Sequence, residues 1–283
     1  MFFDKLTRKI EIEGTLRCVT ALRIGSGKDS GDVAATDLPV LKDAMGRPLL
    51  PGASLKGVVR SSVEALLRAM APDSSEVTRW ACDPFSQHQR CVPDAPSPEE
   101  KKRMEKMKQD ARARYQRDRL ANLCLACRTF GAPGYASHVL FRDARVQGKV
   151  HLERRDGVAI DRDLGRVSGG RKYDFEVVAE GTRFDLGITI DGAEDWQEGL
   201  VALGLDLLGE GFARVGGAAS RGLGRVALER LTVKVLDVER LRHGELPRGG
   251  LPLHDTPWEA FRSDALAAWQ RHVQRGSAPA GRA

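Results

Sequence analysis

Two stretches of helix-spaced apolar residues, each set between strand-like segments, constrain this chain more than any other feature. From Ser54 to about Met70, Leu55, Val58, Val59, Val63, Leu66 and Leu67 fall on one helical face, and Ser54 stands where a capping hydroxyl would. Residues 195–209 repeat the pattern, with Trp196, Leu200, Leu203, Leu207 and Leu208 turned inward. Ile10, Ile12, Leu16 and Cys18 occupy even positions within residues 8–20, the period of a strand with one buried face. Residues 138–146 read as another strand, 173–179 and 183–190 as a hairpin around Gly181, and Leu223 to about Val238 as a long final strand. The order β-α-β-β-α-β allows both helices to bury their stripes against one side of a sheet. The expected class is therefore α+β, a ferredoxin-like sandwich of the kind RNA-recognition domains use. Such domains commonly stack bases on sheet aromatics; no matching aromatic signature is present, so loops and helix ends must carry any RNA contact.

The chain has 283 residues and a formal net charge of +6, a basic balance that favours an anionic partner, usually nucleic acid. No run of about 18 apolar residues occurs, so no membrane span is expected, and the start Met1-Phe2-Phe3-Asp4-Lys5 lacks a signal-peptide core. A cytoplasmic location follows by default. Residues 1–70 and 128–240 form the expected core, 71–127 a helical insertion, and 241–283 an extension whose last fourteen or so residues read as a frayed tail. Within the core, residues 25–37 are a Gly- and Asp-rich loop, and 150–172 are polar and basic with little core signal. Within the insertion, Glu99–Arg119 holds nine Lys or Arg and five Asp or Glu and reads as one long solvated helix.

Gly216-Gly217-Ala218-Ala219-Ser220-Arg221-Gly222-Leu223-Gly224-Arg225-Val226 joins the second helix to the last strand. Small residues let backbone N–H groups approach a ligand, and Arg221 and Arg225 add charge, a combination suited to phosphates. A dinucleotide fingerprint is excluded, because that loop follows a strand and opens a helix, and this one does the reverse. Gly25-Ser26-Gly27-Lys28 is not a P-loop either, since Leu22 and Asp29 stand where its first Gly and its Ser or Thr belong.

Three segments in order then become specific. Gly46-Arg47-Pro48-Leu49-Leu50-Pro51-Gly52-Ala53-Ser54-Leu55-Lys56-Gly57-Val58-Val59-Arg60 resembles the first motif of the RAMP superfamily, the repeat-associated proteins of CRISPR effector complexes. Thr129-Phe130-Gly131 with Leu140-Phe141-Arg142-Asp143-Ala144 resembles its central motif, and 216–226 its C-terminal signature. Through Ala34-Ala35-Thr36-Asp37-Leu38-Pro39-Val40-Leu41-Lys42-Asp43 the chain is most similar to the backbone subunit of type III complexes. Such subunits polymerise along a CRISPR RNA with copies or related RAMP subunits and cut complementary target RNA at six-nucleotide intervals.

The resemblance implies target cleavage by Asp37 with Mg²⁺, against the plainer reading that Asp37 caps a turn; Asp29 and Asp32 share its loop, and Asp43 reads as part of a turn with Lys42. A carboxylate there can act as base or hold a divalent ion near the scissile phosphate. It also implies guide-RNA contact by Ser54, Lys56 and Arg60 at the first helix, by Arg142, and by Gly217, Ser220, Arg221 and Gly222 of the glycine loop. Lys56 and Arg60 lie four apart on one face near a helix start, which attracts phosphate, though an ordinary solvated face has the same look. Residues 150–172, with Arg154, Arg155, Arg162, Arg166, Arg171 and Lys172, match the family's projecting thumb; Ile160 or Leu164 is then the wedge between guide and target, and a basic loop is the alternative.

Cys124-Leu125-Ala126-Cys127, with Cys82 and Cys91 upstream, supplies four thiols for a structural tetrahedral zinc, with His88 as a substitute ligand and reduced free thiols as the alternative. Cys18 reads as core. Two rivals remain inside the superfamily: an RNA-binding subunit that does not cut, and the guide-processing endonuclease. The latter often uses a histidine near the first strand or helix, and none of the six histidines precedes His88.

Overall fold

The even-spaced apolar residues of β1 (Arg8–Cys18) place it at the centre of a sheet, because Ile10, Ile12, Leu16 and Cys18 are all buried on one side. The structure is a computed structural model and describes residues 7–25, 36–86, 88–92, 97–161, 163, 167–238, 243 and 253–275. After β1 come β2 (Leu49–Leu50) and α1 (Gly52–Met70), then α2 (Val77–Trp80), α3 (Pro98–Glu105), α4 (Gln109–Leu120) and α5 (Leu125–Phe130). There follow β3 (Val139–Phe141), β4 (Ala144–Arg145), β5 (Leu152–Ile160), β6 (Val167–Val178) and β7 (Arg183–Asp191). The chain continues with α6 (Asp195–Gly209), a 3₁₀ turn at Ala219–Arg221, β8 (Val226–Asp237), β9 (Leu253–Pro257) and α7 (Trp258–Gln274).

The main sheet has the order β3-β7-β1-β8-β9, antiparallel at every pairing. The class is mixed α+β, and the first four strands of that order have the connectivity expected of a β-α-β-β-α-β sandwich. Glu13 faces Thr232 and Thr15 faces Glu229, so β8 carries an extra residue there, with Arg230 at φ 53°. That bulge bends the strand and re-aims its side chains.

One sheet face is covered by helices. Leu55, Val59, Val63 and Leu67 of α1 and Trp196, Leu200, Val201, Leu205 and Leu208 of α6 are buried, while Val58, Leu66, Leu203 and Leu207 are only half-buried. Two glycines set the helix spacing. A Cβ on Gly204 would lie 2.6 Å from Val59 Cγ1, and one on Gly199 would lie 2.4 Å from the Ala265 carbonyl of α7. The opposite sheet face is charged: Glu13 pairs with Arg142 and Lys234, and Glu229 with Arg17 and Arg183. No helix among the described residues is long and apolar enough to cross a membrane.

Several expectations are corrected. Ser54 is exposed and does not cap α1; Pro51 holds the N-cap position and the Asp143 carboxylate accepts the Gly52 N–H at 2.8 Å. A tertiary cap of this kind leaves no local sequence signal. Residues 173–179 and 183–190 are not a hairpin: β6 pairs with β5 in a separate two-stranded ribbon, and β7 pairs with β1 and β3. The turn between them is held instead by β1, whose Cys18 N–H donates to Thr182 and whose Cys18 carbonyl accepts from Gly181. The charged helix is two: α3, with a Ser97–Glu100 capping box, folds back on α4 through a Tyr115–Glu100 hydrogen bond of 2.9 Å. The strand over 138–146 breaks into β3 and β4. The extension adds an edge strand and a helix, with helix continuing to Gln274 where a frayed tail was expected; residues 276–283 lie outside the described residues.

Gly52 and Gly57 of α1 make a matched test. A Cβ on Gly52 would sit 2.1 Å from the Phe141 carbonyl oxygen, whereas one on Gly57 would meet nothing within 4 Å. Gly52→Ala is expected to destabilise the fold by about 2–4 kcal/mol and Gly57→Ala to stabilise it by about 0.5–1 kcal/mol, both read by denaturant unfolding.

Candidate functional site

Strand alternation puts Asp174 and Glu176 on the same face of β6, and both accept main-chain N–H groups from the loop that carries Asp37. The Asp37 N–H donates to Asp174 Oδ1 at 2.7 Å, and the Val40 N–H to Glu176 Oε2 at 3.0 Å. The Asp174 N–H in turn donates to Asp37 Oδ2 at 3.0 Å. Lys42 Nζ lies 3.0 Å from Glu176 Oε2, and Leu38 forms a parallel bridge with Phe175. Asp37 is exposed; Asp174 is 6% exposed and pairs with Arg154 of β5.

The glycine loop docks on the segment that leaves β1. Gly217 N–H donates to the Arg23 carbonyl at 2.9 Å and Gly224 N–H to the Ala21 carbonyl at 3.0 Å. Gly216 is required there: it has φ +80°, and a Cβ would lie 2.2 Å from the Arg23 carbonyl oxygen. Ser220 and Arg221 are exposed, and Arg221 donates to the Tyr173 hydroxyl of β6. Gly222, at φ +87°, has open space around it. Ala21, Phe175, Val177 and Leu223 form a small buried cluster, with Leu38, Tyr173 and Ala218 packed against it. One apolar cluster thus gathers the Asp37 loop, the β5–β6 ribbon and the glycine loop.

The remaining expected contacts are dispersed. Lys56 lines a groove with Ala53, Gly57, Phe130, Gly131 and Tyr135, and burial, then the Arg60 charge, holds its ammonium below the usual lysine value. Arg60 borders the same groove, but its guanidinium is engaged inward. It donates to Glu64 Oε1 at 2.7 Å, to the Gly131 carbonyl at 2.9 Å and to Cys127 Sγ at 3.4 Å. Arg142 lies on the charged sheet face with Glu13, away from the glycine loop. Ile160 is 64% exposed near the end of β5, and Arg155 pairs with Glu153. Asp43 accepts the Met45 and Arg47 N–H groups as a turn residue. Arg162, Arg166, Leu164, Asp29 and Asp32 lie outside the described residues, as do the side chains of Arg171 and Lys172.

Cys82, Cys91, Cys124 and Cys127 converge, with all four sulfurs within 4.8 Å of one another; His88 is not in the group. Cys82 and Cys127 Sγ are 3.7 Å apart. A tetrahedral zinc with Zn–S of about 2.3 Å has sulfur–sulfur edges of about 3.8 Å, so the cluster fits a four-thiolate metal. The Cys82 and Cys127 N–H groups both donate to Cys124 Sγ at 3.4 Å, which disperses thiolate charge. Hydrogen bonds among the sulfurs push Cys82 and Cys124 down and Cys91 and Cys127 up from the ordinary thiol value. Cys18 stands apart in the core, where burial pushes its thiol up to about 12.

Three positions escaped the sequence reading. Asp174 had a findable signal, being one of two carboxylates at i and i+2 of a strand. Glu64 and Arg68 had none beyond helical spacing: Glu64 is 9% exposed and faces both Arg60 and Arg68, and Arg68 donates to the Cys82 carbonyl at 2.7 Å.

Residues 15–227 match the RAMP superfamily model. The chain is 30% identical over 268 residues to the CRISPR system Cms endoribonuclease Csm3 of Mycobacterium tuberculosis, covering 83% of this chain and 95% of that protein. It is 26% identical over 235 residues to the protein of that name from Methanocaldococcus jannaschii, covering 78% and 79%. For the one from Methanothermobacter thermautotrophicus the figures are 26% over 269 residues, covering 82% and 88%.

Arg60→Ala would leave Glu64 and the Gly131 carbonyl short of a donor in a shielded site. It is expected to lower unfolding stability by about 1–3 kcal/mol, with Arg60→Lys recovering only part, as measured by denaturant titration.

Proposed function

The chain belongs to the RAMP superfamily, and from that premise we propose that it is a CRISPR-RNA-binding backbone subunit of a type III effector complex that cleaves guide-complementary target RNA at six-nucleotide intervals. The observation that carries the reading is the likeness, over most of both lengths, to proteins named CRISPR endoribonucleases. Its partners on this reading are CRISPR RNA, target RNA, and further copies or related RAMP subunits.

Cleavage of RNA needs a 2′-hydroxyl in line with the scissile phosphorus, removal of its proton and stabilisation of the charge that develops on phosphorus. Asp37 is assigned the proton, or the ion beside the phosphate. Its carboxylate is exposed, on a loop anchored at both Asp37 and Val40, so it can meet a polymer lying over the loop. Hard oxygen donors of this kind suit Mg²⁺, which when bound neutralises charge at the phosphate. Lys56, Gly217, Ser220, Gly222 and Arg221 are assigned to the guide backbone, with Arg60 at the inner wall of the Lys56 groove and Ser54 exposed at its helix start. Arg142, Arg162, Arg166 and Lys172 complete the proposed RNA contacts. The β5–β6 ribbon is assigned the role of thumb, and exposed Ile160 supports that assignment.

Zinc is assigned to Cys82, Cys91, Cys124 and Cys127 and ties the beginning of the insertion at 71–127 to its end; four protein ligands leave no open position for catalysis. The role is structural.

In the assembled complex with guide, complementary RNA and Mg²⁺, Asp37→Ala is expected to remove the six-nucleotide-spaced products while target binding persists; unchanged cutting would sink the assignment. Metal analysis of the purified chain is expected to give about one zinc, lost in Cys124→Ser together with a lower melting temperature.

A further inference from the structure

On the reading of Asp37 given above, we propose that Asp174 is the positioning residue for Asp37. The two residues are joined by a closed pair of hydrogen bonds: main chain of Asp37 to side chain of Asp174 at 2.7 Å, and main chain of Asp174 to side chain of Asp37 at 3.0 Å. One bond fixes where the Asp37 backbone sits, and the other fixes which way its carboxylate turns. Together they restrict a side chain that remains exposed, which is what a reacting group on a loop requires.

The arrangement is specific to Asp174. Glu176, on the same strand face, anchors the loop three residues further on, accepting the Val40 N–H at 3.0 Å and pairing with Lys42. Asp174 is 6% exposed, so its carboxylate is costly unless compensated, and Arg154 pairs with it from the neighbouring strand. The clamp spans elements far apart in sequence, linking the Asp37 loop to the β5–β6 ribbon.

The test uses the assembled complex with guide RNA, complementary target RNA and Mg²⁺. Asp174→Ala is expected to lower the single-turnover cleavage rate about tenfold or more while target affinity stays within about twofold. Asp174→Asn keeps an oxygen that accepts the Asp37 N–H and is expected to stay within about threefold of wild type. Where Asp174→Ala does not assemble, Asp174→Leu, branched at the same carbon though bulkier and without an acceptor, takes its place with the same expectation. A wild-type rate in the acceptor-free variant, equal loss in the Asn variant, or loss of target affinity in step with rate would overturn the proposal. Asp37→Ala run in parallel separates the two claims. Cutting that survives it defeats the reading of Asp37, whereas cutting lost with Asp37→Ala but untouched by Asp174→Ala or Asp174→Leu defeats the positioning role alone.

Discussion

The antiparallel pairing of β1 with β7 on one side and β8 on the other is the constraint on which the rest of the molecule depends. It fixes nine residue pairs with β7 and ten with β8, on either side of a single bulge. Because β1 is central, its exit at residues 19–24 is held in place, and the glycine loop, the ribbon and the Asp37 loop all meet at that exit. The glycine loop bonds to Ala21 and Arg23, and Leu22 bridges Val178 of the ribbon. The candidate loops are therefore positioned by strand pairing some distance from themselves, a common division of labour between scaffold and loop.

The cysteine cluster depends on the same frame by another route. Helix α1 packs on the sheet through its apolar stripe, and its polar side reaches the sulfurs through Arg60 and the Cys82 loop through Arg68, with Glu64 between them. A buried carboxylate bracketed by two guanidinium groups satisfies charges that would otherwise be costly to shield. It also explains why Arg60, which helical spacing alone presents as a solvent-facing cation, turns inward. Spacing reports the face of the helix but not whether another segment folds over it.

What could be read from the sequence was what repeats or clusters. Period-two and helical patterns gave β1, α1 and α6 because each buries one face against a single large neighbour. The four cysteines were legible because few other residue types have that metal chemistry. What failed was pairing: Gly181 looked like a hairpin turn, yet it serves as a crossing from the ribbon into the main sheet, since β1 competes successfully for the next strand. The cap on α1 was misread for a similar reason, the donor's partner being Asp143, ninety-one residues away. Beyond its i, i+2 spacing with Glu176, Asp174 carries no local signal of its role, because a carboxylate in a strand of mixed charge looks like ordinary surface until a loop lies beside it.

The glycines on α6 have a kinetic consequence. Gly204 admits α1 and Gly199 admits α7, leaving no room for a side chain at either contact. α6 is thus gripped by a helix made early in synthesis and by one made after residue 257. Its contact with α7 cannot form until that last helix has left the ribosome, so the nascent chain must carry one side of α6 uncovered. A chain of this topology is open to misassociation through that uncovered side during synthesis.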